Sequence, residues 1–156
     1  MKSNIDNAEF VDGLMQAALA EAAIAAKQGE VPVGAVVSDG KDIIARAHNI
    51  VEANHDPAGH AEVLALREAA RKLGDWRLND LILCVTLEPC TMCLGAIKQA
   101  RIATVVFGAH DAERGACGSL YDLSLDSRVG PVPKVISGIR EEESIALLQK
   151  FFKAKR

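Results

Sequence analysis

Thr86-Leu87-Glu88-Pro89-Cys90-Thr91-Met92-Cys93 closes an apolar run and restarts the chain as a helix. Pro89 cannot donate to a strand ladder, and a helix starting at Cys90 puts Cys93 on the same face of its first turn. Two thiols so placed can grip one metal ion. A third ligand is needed, and His60 of the upstream His60-Ala61-Glu62 is the natural candidate. Two thiolates and one imidazole around Zn²⁺ leave a tetrahedral position open, which marks a catalytic rather than a structural zinc. Glu62 can lie beside the metal without binding it, where a proton shuttle belongs.

Each part has a plainer reading. A lone C-x-x-C could be half of a zinc ribbon, but the chain has no second one. It could equally be a redox pair. A lone histidine is most often a surface or core residue.

Working outward, residues 81–86 are almost all apolar and predict a central strand. Residues 90–99 predict a helix and residues 102–108 a further strand. A strand, a crossover helix and a strand make that pair parallel. Upstream, residues 60–73 repeat Ala61, Leu64, Ala65, Ala69 and Leu73 at helical spacing, and Gly74 stops them. His60 and Glu62 then fall in a first turn, where unpaired amides make a positive field. Residues 30–37 predict a buried strand, Asp39-Gly40 a hairpin turn, and residues 43–47 an antiparallel return ending at His48 and Asn49. Gly34 would let a flat ligand lie against the backbone, or serve only as a bulge.

Residues 8–27 predict a helix capped by Asn7, with a stripe of Phe10, Leu14, Ala17, Ala18, Ala22 and Ala25. Residues 109–127 read as loop, with Asp111 and Arg114 at the C-terminal end of a parallel strand, where ligands gather. Residues 133–137 predict a short edge strand and residues 140–155 a last helix. Its Phe151-Phe152 reads as core in preference to a stacking surface. Its tail, Lys150, Lys153, Lys155 and Arg156, supplies the basic charge expected beside an RNA chain.

With 156 residues, 49% apolar and 25% charged, the composition predicts one globular domain over residues 1–156. No apolar run is long enough for a membrane span, and the N-terminus has no signal-peptide core. The expected compartment is therefore the cytoplasm, which suits four cysteines of which Cys84 and Cys117 look isolated. A net charge of −3 does not advertise a nucleic-acid binder, so any RNA contact needs a local basic patch.

The pattern His-x-Glu, then Pro-Cys-x-x-Cys about thirty residues on, is the signature of zinc-dependent nucleobase deaminases. Further stretches sharpen it: residues 30–35, Gly95-Ala96, Arg101-Ile102, residues 105–109 with Asp111, residues 115–119 and Phe151-Phe152. Together they resemble bacterial tRNA-specific adenosine deaminases, in the cytidine-deaminase-like superfamily, over nearly the whole chain. Guanine deaminases share the zinc core but look less similar after Arg101. His110 stands where the tRNA-specific adenosine deaminases commonly have arginine, and Gly59 where they often have alanine.

The resemblance implies an α/β fold, a three-layer α/β/α sandwich with a five-stranded mixed sheet. It implies a homodimer with one Zn²⁺ per chain, held by His60, Cys90 and Cys93, and Glu62 as the acid/base. The implied partner is a tRNA anticodon stem-loop, whose wobble adenosine in an arginine tRNA becomes inosine. Asn49, Val33, Ala61, Asp111, Arg114 and Phe151 are implied in substrate binding. Two rivals stay open. One is a zinc deaminase of free guanine, cytosine or a nucleoside. The other is a catalytically dead RNA-binding subunit, against which an intact Glu62 and a full ligand set argue.

Overall fold

The computed structural model describes residues 4–155. Arg156 of the basic tail and the first three residues of the N-terminus lie outside it. Helix α1 spans Ala8–Lys27, with the Asn7 side chain accepting the Glu9 and Phe10 amides as its cap. Strands β1 (Gly34–Ser38) and β2 (Ile43–His48) form the antiparallel hairpin. Then come α2 (Ala61–Leu73), β3 (Ile82–Leu87), α3 (Thr91–Gln99), β4 (Thr104–Ala109), β5 (Lys134–Ile136) and α4 (Glu141–Ala154). The sheet runs β2-β1-β3-β4-β5, antiparallel in its first half and parallel from β3 to β5. The apolar run of β3 is thus central, and the expected parallel pair is present.

Alternation along the strands builds two cores. Ala35, Val37, Leu83, Val85, Val105 and Phe107 face α2 and α3, meeting Ala65, Leu66, Leu94 and Ile97. Val36, Ile82, Cys84 and Val106 face α1, meeting Val11, Leu14, Met15, Ala18 and Leu19. Leu147 of α4 packs on that second core, so helices cover both faces of the sheet in three layers. The buried stripe of α1 is turned from the expected one. Val11, Met15 and Leu19 are buried where Phe10 and Ala17 are only partly so. No described helix is long and apolar enough to cross a membrane.

Two glycine- and proline-bearing stretches end differently from their sequence reading. β1 begins at Gly34 rather than residue 30, because Pro32 has no amide and the Val33 amide closes a tight turn on the Val31 carbonyl at 2.8 Å. Gly34 does not receive a ligand. A Cβ there would lie 2.5 Å from the Ala22 amide nitrogen and nearer still to the Ala18 carbonyl. The missing side chain is what lets α1 seat on the sheet. Gly34→Ala is expected to cost about 2–3 kcal/mol, because the obstacle is helix backbone that cannot rotate away. A urea midpoint unchanged from wild type would show that α1 does not sit this close.

Lys98 is an unanticipated fixture. It is buried, and its ammonium donates to the carbonyls of Ser124 (3.0 Å), Pro131 (3.1 Å), Asp126 (3.3 Å) and Gly130 (3.3 Å). One cation thereby gathers a stretch of irregular chain that follows the site loop.

Candidate active site

His60 and Cys90 both sit one residue outside the helices expected to contain them. Each is the N-cap of its helix, with extended backbone and no side-chain capping bond. Serine, threonine, aspartate or asparagine would be ordinary there. The side chains are turned instead toward each other. His60 Nδ1 lies 3.6 Å from Cys90 Sγ and 3.4 Å from Cys93 Sγ, and all three donor atoms fall within 4.8 Å of one another. Zinc–sulfur and zinc–nitrogen bonds at a tetrahedral angle set ligand atoms about 3.6 Å apart. The donor set and its spacing therefore fit Zn²⁺.

The capping that His60 does not provide comes from Asn49. Its Oδ1 accepts the Ala61 amide at 2.8 Å, tying the end of the β hairpin to the start of α2. Gly59 before it is held on both sides, its amide on the Asp56 carbonyl (3.0 Å) and its carbonyl on the Ile50 amide (2.9 Å).

The protonation pattern follows from contacts. The hydrogen bond from Cys93 holds the Cys90 thiol down at about 3, against burial and with help from His60. Cys93 is pushed the other way by that same bond and by burial. The shared bond thus pushes the two thiols in opposite directions, and a bound dication would favour the thiolate at both. The bond to Cys90 raises His60 despite its burial. Glu62 is 4% exposed, and burial pushes its carboxyl up to about 7. A carboxylic acid poised near neutrality can both take and give a proton.

His60, Glu62 and Cys90 floor a cleft of about 670 Å³, with Cys93 buried behind them. Val33, Asn49, Asp111, Arg114 and Phe151 line it with His60, Glu62 and Cys90. Ala61 does not: it is wholly buried in the core and reaches the cleft only through its amide bond to Asn49. Asp111 uses its Oδ1 to accept the Glu113 (3.1 Å) and Arg114 (3.2 Å) amides, so it shapes the turn that presents Arg114. The reading of the phenylalanine pair as core is overturned. Phe152 is 49% exposed, Phe151 is half-buried, and both line the cleft edge to face at 5.3 Å. Only Ser144 of α4 is buried, so the helix lies shallowly against β3 and β4 and its aromatic face meets the cleft instead. Lys155 Nζ stands 5.0 Å from the Phe151 ring centre. His110 bonds Glu141 at 2.9 Å on the same rim.

Glu88, within the opening motif but given no role there, is 2% exposed. Its carboxylate accepts the amides of Cys117 (2.9 Å), Asp111 (3.1 Å) and Ser119 (3.1 Å), and the Ser119 hydroxyl. Burial alone would raise its pKa, but the Ser119 hydroxyl and those amides outweigh it and lower it. Glu88 thus clamps the loop that carries Asp111 and Arg114. An acid set between the apolar run and the strand-ending proline was the signal available in the sequence. Glu88→Gln is expected to cost about 2 kcal/mol, since an amide NH₂ must face backbone donors. Hydrogen exchange should show the Cys117 and Ser119 amides losing at least about tenfold protection. Unaltered protection would mean the clamp does not hold the loop.

The chain and its fold are similar to known deaminases. A model of the MafB19-like deaminases matches residues 11–156. A tRNA-specific adenosine deaminase of Bacillus subtilis is 45% identical over 142 residues, 91% of this chain and 88% of that protein. A solved structure from studies of A-to-I editing by tRNA:A34 deaminases at the wobble position superposes with a TM-score of 0.82 at 39% identity. It covers 87% of this chain and 99% of the other. A guanine deaminase from Bacillus subtilis gives a TM-score of 0.60 at 40% identity, over 63% of each chain.

Proposed function

From the premise that this chain belongs to the MafB19-like deaminase family, we propose that it acts at the wobble position of an arginine tRNA anticodon loop, with one Zn²⁺ per chain. The chain deaminates adenosine to inosine in tRNA, as its similarity to the tRNA-specific adenosine deaminases establishes. The observation that carries the mechanism is the buried Glu62 beside the clustered His60, Cys90 and Cys93 side chains, with Glu62, His60 and Cys90 lining one cleft.

His60, Cys90 and Cys93 would hold the ion, which when bound polarises a water and brings its pKa to about 7. Glu62 takes a proton from the water that adds at adenine C6 and delivers it to ring N1. It then carries a proton to the amino group, which leaves as ammonia, so adenosine and water become inosine and ammonia. The Asn49 amide sits at the cleft wall with its oxygen spent on Ala61, which leaves its NH₂ to face the nucleoside. Val33 gives an apolar wall, and Phe151 a face on which a neighbouring base can stack. Asp111 and Arg114 lie on the clamped loop, within reach of ribose and phosphate. A loop adenosine is already partly unstacked, which makes its extrusion into the cleft inexpensive. A homodimer in the cytoplasm is the setting proposed.

The test is inosine formation in an RNA hairpin carrying an arginine anticodon loop with adenosine at the wobble position. Free adenosine, guanine and cytidine run in parallel. Inosine in the hairpin alone supports the reading. Ammonia from free guanine with an untouched hairpin would move the substrate to a free base, as the partial likeness to guanine deaminase allows.

A further inference from the structure

A second concavity of about 540 Å³ lies between edge strand β2 and the outer face of α2. Its charge is one-sided. Arg46 from β2 and Arg67, Arg71 and Lys72 from α2 line it against a single carboxylate, Glu68. Three net positive charges in this one groove contrast with a chain of net charge −3. Glu68 is spent on Arg71 at 2.6 Å and Lys72 at 3.6 Å. Lys72 also donates to the Ile44 carbonyl at 2.9 Å, closing part of the open strand edge. Arg46 and Arg67 are exposed and have no carboxylate partner among the described residues.

Both walls begin at the active site. β2 runs into Asn49, and α2 starts at Ala61, the residue Asn49 holds. From there to Arg71 a helix advances about 15 Å. The groove is therefore a basic track that leads away from the cleft and is long enough to follow several phosphates.

We propose that this β2–α2 groove binds the phosphate backbone of the RNA outside the anticodon stem-loop. The inference rests on the reading of the chain as a tRNA deaminase. Charge complementarity selects the occupant, because a polyanion is what unpaired arginines along a track recognise without regard to sequence. It also accounts for how an acidic protein engages an RNA: the charge is concentrated where the body of the substrate passes.

The experiment compares wild type with Arg46→Gln/Arg67→Gln and Arg46→Glu/Arg67→Glu, each first checked for an unchanged melting temperature. The Gln pair keeps the proposal testable if charge reversal unfolds the edge. Binding is read by fluorescence anisotropy on a full-length tRNA and on its isolated anticodon hairpin, over a range of salt. For full-length tRNA the Gln pair should weaken binding about tenfold. Its salt slope should become shallower by about 1.4–1.8, the loss of two phosphate contacts. Hairpin binding should change less than about twofold. Unchanged tRNA affinity and slope would overturn the proposal, as would equal losses on both RNAs. A shift in sedimentation instead would make the groove a protein interface and also overturn it. Inosine is assayed separately. Wild type that binds tRNA but forms no inosine sinks the functional reading and leaves the groove standing. Wild type that binds neither RNA sinks both.

Discussion

Glu62→Ala is expected to lower inosine formation by about 10²–10⁴-fold while the purified protein keeps its zinc. The carboxyl is buried beside the three donors without being one of them. Removing it takes away the proton carrier and none of the ligands. The fold should not suffer. A buried acid held against its own solvation is a cost to stability that alanine relieves, so the melting temperature should hold or rise. Glu62→Gln, the isosteric control, should be equally inactive and equally metallated. Elemental analysis decides the matter: zinc missing from both variants would make Glu62 a ligand, and near-normal rates would put the shuttle elsewhere.

The second large effect concerns the metal. Cys90→Ala should lose the ion and reduce deamination to background. It removes one of three donors and the cap-position side chain that brings α3 toward α2. Stripping wild type with a chelator should act on stability too. A ligand present at about a thousand times its Kd stabilises the folded state by about 4 kcal/mol. In a domain of this length that corresponds to about 8–16 °C of melting temperature. Restoring Zn²⁺ should restore both quantities in the wild type and neither in Cys90→Ala. Full activity in chelator would remove the metal from the reaction. A Cys90–Cys93 disulfide in place of stoichiometric zinc would favour the redox reading, although both cysteines are free in this structure.

Much of the architecture was legible because its signals are local. The Asn7 cap and the Gly74 stop bound α1 and α2 where the sequence places them, and Gly74 adopts the left-handed conformation a helix stop requires. The proline after β3 separates strand from helix, and the parallel pairing of β3 with β4 follows from handed crossover geometry. The candidate metal donors were legible for the same reason: the i, i+3 thiols Cys90 and Cys93 meet within one turn. The partnership of His60 with them needed a recognised pattern, since nothing local joins residues thirty positions apart.

The remainder depends on contacts between distant segments. Periodicity cannot tell a phenylalanine pair facing a core from one facing a cleft, and α4 lies too shallowly for its aromatic face to be covered. Gly34 reads as an open position until α1 is seen against its backbone. Glu88 and Lys98 look like ordinary surface charges in the sequence. Only in the folded chain does each become buried and satisfied by groups from a segment that has no regular structure of its own. The basic groove likewise joins one arginine of β2 to three cations of α2. By itself the sequence determined the elements, their order and the thiol pair of the candidate metal site, because helix turns, strand alternation and caps act over a few residues. The tertiary structure decided which charges are buried, which aromatics stay open and where positive potential collects, because burial and electrostatic fields are sums over neighbours that only folding brings together.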